Sequence, residues 1–288
     1  MGKDKINKIQ NNRRKAKPSS PEEELTHGQK SAKGNDETPD QAQADENVQK
    51  MDENELAAGI FFKLGFLYET GQNAPKNIDQ AFEMYTKASD LGHREAQFCL
   101  GRLYYFGHGT AMDKTKAVEL FRLSANQGMG MAAFHLGMML YGGEGAPINF
   151  TEAVKWLSMA AEDGVADAQF RLGLMYRLGD GAAMDKIKAA ELFNMASLLG
   201  VADAQFNLGA MYMMGEGIER DLSKAVELFE LAAELGCKEA QYNLGSMYFE
   251  GSCGLPQDRR KAKELISSAA AQGMVEAQVA LRTMDSYS

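Results

Sequence analysis

The chain repeats itself every 36 residues over most of its length. The stretch DAQFRLGLMYRLGDG at 167–181 returns, with few changes, as DAQFNLGAMYMMGEG at 203–217. A Leu–Gly pair keeps the same period at 64–65, 100–101, 136–137, 172–173, 208–209 and 244–245. A fixed period of about 20–50 residues is typical of a solenoid, in which each unit buries its apolar face only against its neighbours. The sequence therefore predicts stacked units rather than globular domains.

Each unit contains two helical patterns joined by a glycine turn. In one unit the apolar positions of the first pattern are Ala168, Phe170, Leu172, Met175 and Tyr176, a spacing that gives a helix a broad apolar face. The second pattern begins after an Asn or Asp suited to cap a helix N-terminus, at Asn77, Asp113, Asn149, Asp185, Asp221 and Asp258. It ends at a glycine suited to the left-handed position after a helix, at Gly92, Gly128, Gly164, Gly200, Gly236 and Gly273.

The glycine of each Leu–Gly pair lies in the middle of a first helix, as Gly173 does. A glycine there costs about 1 kcal/mol relative to alanine. Because the cost recurs in every unit, we expect a second helix to cross closely at this position. Six such units fit residues 53–275. Residues 276–288 are predicted to form a capping helix and a tail, with Arg282 where the pattern would place glycine.

Residues 1–52 differ in composition from the repeats. They begin with a basic stretch, continue with an acidic one, and contain few apolar side chains. Such a segment buries too little apolar surface to offset its ordering entropy, so we predict a disordered tail. The run NRRKAK at 12–17 is either a nuclear or membrane-surface address or simply part of a solvated tail.

The repeats resemble the Sel1-like repeat family, a relative of the tetratricopeptide repeats. The unit AQFNLGAMYMMGEGIERDLSKAVELFELAAELG at 204–236 is similar to the family pattern nearly throughout. The resemblance implies an all-α fold, a right-handed α-solenoid of helix–turn–helix repeats, here preceded by the disordered tail. Three units depart locally, with Asn73 for a turn glycine, Leu140 for the usual tyrosine beside Tyr141, and one extra residue in GSCGLPQD of the sixth unit. Family members act as adaptors that hold other proteins together, but the shared motif is scaffold and carries no site residue over.

Composition and motifs argue against several functional classes. A net charge of −9 and a pI near 5.1 disfavour nucleic-acid binding by the repeat body, because phosphate binding requires a basic face. The glycine turns lack the phosphate-loop motif, and acidic residues such as Asp180 and Asp185 are interpreted as turn and cap residues rather than calcium ligands. The histidines and cysteines have no metal-ligand spacing. We predict no enzyme activity, no catalytic residue, no cofactor and no metal.

The expected location is cytoplasmic, with the nucleus as the alternative. The N-terminus lacks the apolar stretch of a secretory signal, and no run of about 18 apolar residues predicts a membrane span. The three cysteines, an odd number without a pairing pattern, suit free thiols in a reducing compartment.

The positions that vary between units predict where a partner binds. Positions six and two before the mid-helix glycine, and one and five after it, share one face of the first helix. In a right-handed superhelix this face is expected to line the concave groove. Methionine, arginine and aromatic side chains, which are enriched in recognition surfaces, are frequent there. The predicted partner-binding residues, called the groove row below, are Arg102, Phe106, Met131, His135, Met138, Arg171, Leu174, Leu178, Asn207, Met214 and Asn243.

These observations predict a non-enzymatic scaffold or adaptor that binds a peptide or helix of a partner protein in the concave groove. The alternative is a regulatory subunit that activates or localises a partner enzyme, with the basic tail as its address. The sequence identifies neither the partner nor the oligomeric state.

Overall fold

The computed structural model describes residues 39–73 and 75–286, with side chains for 53–73 and 75–284. The chain divides into two units, Met1–Asn47 and Val48–Ser288, and of the first unit only the helical residues 39–47 are described. The described residues form thirteen α-helices and no β-strand. The helices are α1 (Pro39–Thr70), α2 (Ile78–Asp90), α3 (Arg94–Phe106), α4 (Lys114–Asn126), α5 (Gly130–Gly142), α6 (Phe150–Glu162), α7 (Ala166–Leu178), α8 (Lys186–Leu198), α9 (Ala202–Met214), α10 (Leu222–Glu234), α11 (Lys238–Glu250), α12 (Arg259–Ala271) and α13 (Val275–Ser286).

The first helix begins at Pro39, within the stretch that composition assigned to the tail. Residues 39–52 include two alanines and three glutamines, which favour helices, and proline is favoured at a first helical position. The rest of the predicted tail, residues 1–38, lies outside the described residues. The predictions for the basic run at 12–17 lie outside the described residues.

The second unit is an α-solenoid, as predicted. From α2 to α13, each helix packs against the next one along the chain. Successive first helices also touch, since the ring of Phe98 on α3 lies 5.6 Å from that of His135 on α5. Similarly, Arg177 on α7 donates a hydrogen bond to Asn207 on α9. Within the described part of the chain, every helix is too short or too polar to cross a membrane.

The predicted caps organise each helical hairpin. All six Asn and Asp caps accept a hydrogen bond from the backbone N–H three residues later, at 2.9–3.1 Å. The backbone N–H of each cap in turn donates to a carbonyl near the end of the preceding helix, as from Asp185 to Tyr176 at 2.9 Å. Asn149 donates to the carbonyl of Leu140 at the same distance. Because a backbone carbonyl makes this bond, the loss of tyrosine at Leu140 leaves the hairpin closed.

The mid-helix glycines lie where the two helices of a hairpin cross, which confirms the prediction. A Cβ added to Gly173 would lie 2.8 Å from the Phe193 ring, and one added to Gly137 would lie 2.8 Å from Leu157. The adjacent leucines Leu100, Leu136 and Leu172 are buried. In the first repeat, by contrast, Leu64 is 36% exposed, because no earlier hairpin among the described residues covers it.

The two irregular turns keep left-handed backbone without their expected glycine. Asn73 adopts φ = 61° at the position where other units have the second turn glycine, and asparagine tolerates this region better than most residues. In the sixth unit, the longer turn places both Cys253 (φ = 54°) and Gly254 (φ = 83°) in the left-handed region. These departures change the turns and not the packing of the helices they join.

Candidate partner-binding surface

The groove row lies on the accessible side of the first helices. Among its members, Phe106, Met131, Arg171, Leu178 and Met214 are exposed, whereas Arg102, His135, Met138, Leu174, Asn207 and Asn243 are half-buried. The methionines predicted to be core are instead buried, at Met175, Met211 and Met247. The side chains at repeating positions are therefore buried between the stacked helices, whereas those at variable positions are at least partly exposed.

Four members of the groove row converge on one pocket where α5 and α7 meet. The pocket has a volume of about 70 Å³. Its lining consists of Met138, Arg171, Leu174 and Leu178 from the row, together with Tyr141, Leu157, Met175 and Asp180. The sequence predicted the four row residues individually, and the structure brings them together.

Tyr141 and Asp180 are the polar pocket residues that sequence reasoning missed. The Tyr141 hydroxyl donates to the Asp180 carboxylate at 3.3 Å, linking α5 to the glycine turn of the next repeat. The preceding repeat contains the same contact, since Tyr105 donates to Glu144 at 2.8 Å. Both pairs are 39 residues apart, so a search for a tyrosine and an acid separated by one period plus three would have found them.

The acidic turn residues connect neighbouring repeats. The Lys114 ammonium lies 2.8 Å from the Glu144 carboxylate, and Lys186 lies 3.2 Å from Glu216. The hydrogen bonds from Lys114 and then from Tyr105 hold the pKa of Glu144 below its usual range. These carboxylates are thus engaged by groups of the neighbouring repeat.

At the N-terminal end of the row, the side chain of Arg102 already has a charged partner within the protein, whereas that of Phe106 is largely exposed. The Arg102 guanidinium lies 3.7 Å from the Glu69 carboxylate and 5.9 Å from the centre of the Phe98 ring. Phe106 is 54% exposed, and its ring contacts those of Tyr105 and His108 at the surface. Phe106 therefore offers apolar area to a partner, whereas Arg102 is already paired.

His135 is enclosed by aromatic rings rather than by other possible metal ligands. Its ring lies 5.3 Å from that of Phe121, in a stacked arrangement, and within 5.6 Å of those of Phe98 and Phe134. Burial, and secondarily the positive charge of Arg102, lowers the pKa of His135 below 6.5. The imidazole is neutral at physiological pH and contributes shape rather than charge to this surface.

Towards the C-terminal end, Asn207 takes part in the stack itself. It accepts a hydrogen bond from Arg177 at 2.7 Å, and its amide donates to the carbonyl of Asp203. Met214 is 56% exposed, whereas Asn243 is half-buried. The exposed apolar area at this end of the row comes from Met214.

The side chains of Met138 and Leu174 take part in core packing, although both belong to the groove row. Met138 packs against the core cluster of the second to fourth repeats, and Leu174 packs against the next cluster. Charged substitutions there would disturb the fold as well as the surface. The exposed side chains of Phe106, Leu178 and Met214 are therefore the better positions for a binding test.

Two of the three cysteines, Cys99 and Cys237, are poor nucleophiles because burial raises the pKa of each thiol. All three are free thiols, and Cys237 is buried. Burial raises the pKa of Cys99 to about 11, so its thiol stays protonated at neutral pH.

Comparisons with known proteins agree with the repeat period. The family model described as Sel1 repeat matches residues 62–93, 94–129, 130–165, 166–201, 202–237 and 238–274. The solved structure of a protective antigen present in uropathogenic Escherichia coli strains is similar over 82% of this chain and 50% of its own, with 31% identity and a TM-score of 0.74. A Sel1 repeat protein from Oxalobacter formigenes is similar over 75% of this chain and 88% of its own, with 33% identity and a TM-score of 0.66. The chain thus spans about half the length of the E. coli protein. A search of curated proteins found no match.

Proposed function

Because this chain belongs to the Sel1 repeat family, whose members are generally scaffolds for protein interaction, we propose that it binds a peptide or helix of a partner protein along the groove row. The observation that carries the proposal is the exposure of large apolar side chains at positions that differ between repeats. Leu178 is 58% exposed on a helix whose repeating positions, such as Leu172, are buried. Exposed aromatic, methionine and arginine side chains are typical of recognition surfaces.

A stacked scaffold is suited to this function because its surface is formed before the partner arrives. Ordering a side chain or loop on binding costs about 0.5–1.5 kcal/mol for each immobilised side chain. The helices that present the groove row are held in place by their buried leucines and by the capped second helices packed against them, so the protein contributes little of that cost. Most of the free-energy cost of ordering on binding would come from the partner segment.

The second helices also expose apolar side chains, and a test must separate the two faces. Leu198, at the end of α8, is the most exposed large apolar side chain among the described residues. Near the turns, Met112 and Met184 are also mostly exposed. These three positions lie outside the groove row and provide a matched control.

The experiment compares three forms of the full chain by affinity purification and quantitative mass spectrometry. The row variant carries Phe106→Glu, Leu178→Glu and Met214→Glu. The control variant carries the same change at Met112, Met184 and Leu198. We expect the row variant to lose the proteins that the wild type retains, and the control variant to keep them. Circular dichroism and thermal unfolding should be the same for all three.

The opposite pattern would contradict the proposal. If the row variant keeps the wild-type partners while the control variant loses them, the binding surface lies on the second helices or the turns. If both variants keep them, the partners bind elsewhere on the chain.

A further inference from the structure

The pocket between α5 and α7 has the size of a side-chain tip. Its volume is about 70 Å³, roughly half of the ~150 Å³ of a cavity that holds benzene. Its walls are the apolar side chains of Met138, Leu174 and Leu178, and Leu157 and Met175 complete the apolar lining. An aliphatic side chain such as leucine or isoleucine fits this volume and this lining better than an aromatic ring.

The polar part of the lining carries one positive and one negative group. Asp180 accepts the hydrogen bond from Tyr141, so its carboxylate is already engaged by the protein. Arg171 is exposed and lies over the ring of Phe170, with its guanidinium carbon 5.7 Å from the ring centre. Among the described residues, no carboxylate lies within ion-pair distance of Arg171.

Among the described residues, the Arg171 guanidinium has no hydrogen-bond or ion-pair partner, whereas the other two arginines near the row each have one. Arg102 is paired with Glu69, and Arg177 donates to Asn207. The chain as a whole has a net charge of −9, so acidic side chains outnumber basic ones. An arginine that has no carboxylate partner among the described residues, beside an apolar pocket, is available for an anion brought by a partner. A guanidinium binds a carboxylate through two parallel hydrogen bonds, which fixes orientation as well as charge.

We propose that this pocket receives an aliphatic side chain of a partner segment, and that a glutamate or aspartate near it in the same segment pairs with Arg171. The inference rests on the proposed function, because it specifies what the groove row recognises. The occupant is thus an acidic segment of a partner protein with an aliphatic anchor. Specificity for charge comes from Arg171, and specificity for shape comes from Met138, Leu174 and Leu178.

The test is selection from a phage-displayed library of random peptides of about twelve residues, with the full chain as bait. Four baits are compared: the wild type, Arg171→Glu, the control Arg260→Glu, and the row variant with Phe106→Glu, Leu178→Glu and Met214→Glu. Arg260 is an exposed arginine on α12, remote in sequence from the pocket. Selected peptides are then synthesised, and their affinities are measured by fluorescence anisotropy.

We expect the wild type and Arg260→Glu to enrich peptides that combine an aliphatic residue with a nearby acidic one. The Arg171→Glu protein should bind these peptides at least about tenfold more weakly, as expected for a charge-assisted bidentate contact, and should enrich lysine or arginine in place of the acid. Enriched peptides that depend on the row but show no acidic preference, or that bind Arg171→Glu unchanged, would overturn the inference and leave the proposed function standing. Peptides that bind the row variant as well as the wild type, or no enrichment at all, would overturn both.

Discussion

Replacing Leu199 or Leu235 with glutamine should stabilise the protein, because each leucine lies where a hydrogen-bond donor is missing. Gln169 and Gln205 are buried, and the side-chain oxygen of each has no hydrogen-bond partner among the described residues. Their amide nitrogens are satisfied, donating to the carbonyls of Ala161 and Ser197. One half of each amide is therefore paired and the other half is not.

Two other repeats show how the missing bond is normally made. The Gln127 side chain donates to the side-chain oxygen of Gln97 at 2.8 Å, from thirty residues further along the chain. Gln272 donates to the side-chain oxygen of Gln241 in the same way at 2.9 Å. Here the two glutamines are 31 residues apart. The residue thirty positions after Gln169 is Leu199, and Leu235 follows Gln205 at the same interval. A glutamine at either leucine would therefore reach the unpaired oxygen.

The expected gain is about 1 kcal/mol for each substitution. A buried polar group without a partner costs about 1–3 kcal/mol, and a hydrogen bond to it contributes about 1 kcal/mol net. Leu199 is 57% exposed, so its removal loses less than half of the roughly 2 kcal/mol that full burial of a leucine provides. The methylene groups of glutamine keep part of that contact. For a folded unit of this size, 1 kcal/mol corresponds to a rise of about 2–4 °C in Tm.

Urea unfolding followed by circular dichroism measures the change. Leu199→Gln and Leu235→Gln are compared with Leu198→Gln, a more exposed leucine, for which we expect little change. The reverse substitution Gln127→Leu should lose about 1 kcal/mol, because it leaves Gln97 without its donor. The reasoning is refuted if Leu199→Gln gains no more than Leu198→Gln while Gln127→Leu is neutral.

Two further predictions concern the core of the stack. Gly173→Ala should destabilise the protein by about 1–3 kcal/mol in thermal unfolding, because the added Cβ would lie 2.8 Å from the Phe193 ring. Gly59→Ala, at a helical position with open space, should instead gain up to about 1 kcal/mol, and equal effects at the two sites would contradict the close crossing. The pKa of His135 is lowered by burial and by Arg102, so the folded state binds fewer protons than the unfolded state. Its contribution to stability is complete above about pH 6.5 and is lost as the pH falls below that value, so the urea midpoint should fall more between about pH 7.5 and about pH 5.5 in the wild type than in His135→Phe.

The fold was predictable because its signals are local and recur. Asp185 caps the N-terminus of α8, and Gly200 lies just after the C-terminus of the same helix. Each signal appears six times, at the same period except for the one extra residue of the sixth unit, so a single ambiguous repeat does not change the prediction. The close crossing of two helices at Gly173 was predicted only from the destabilising effect of glycine in the middle of a helix. The structure confirms this crossing.

The details of the binding surface were less predictable because they depend on contacts between repeats. A helical wheel gives the face on which Met138 and Leu174 lie, but not how closely the next helix covers them. It likewise predicts Arg171 as a surface residue without showing that no carboxylate in the described part of the chain pairs with it. The hydrogen bond from Tyr141 to Asp180 spans two repeats and depends on their spacing in the stack.

The departure from the repeat pattern at Leu140 is accompanied by a second change in the same repeat. Leu140 replaces a tyrosine, and the same repeat has Glu152 where the fourth repeat has Lys188. In the fourth repeat Lys188 lies over the Tyr176 ring, 4.2 Å from its centre. With that ring absent, the acid at 152 instead pairs with Arg122 of the preceding second helix. The two changes belong together, which a comparison of positions between repeats would have shown.

Methionine methyl NMR tests the central claim most directly, because methionines lie both in the groove row and outside it. The full chain, labelled with carbon-13 at the methionine methyl groups, is titrated with a peptide selected by the wild-type protein. The account predicts that the methyl signals of Met131, Met138 and Met214 shift on binding, while those of the exposed Met112 and Met184 do not. Shifts confined to Met112 and Met184, with the row methionines unchanged, would contradict it.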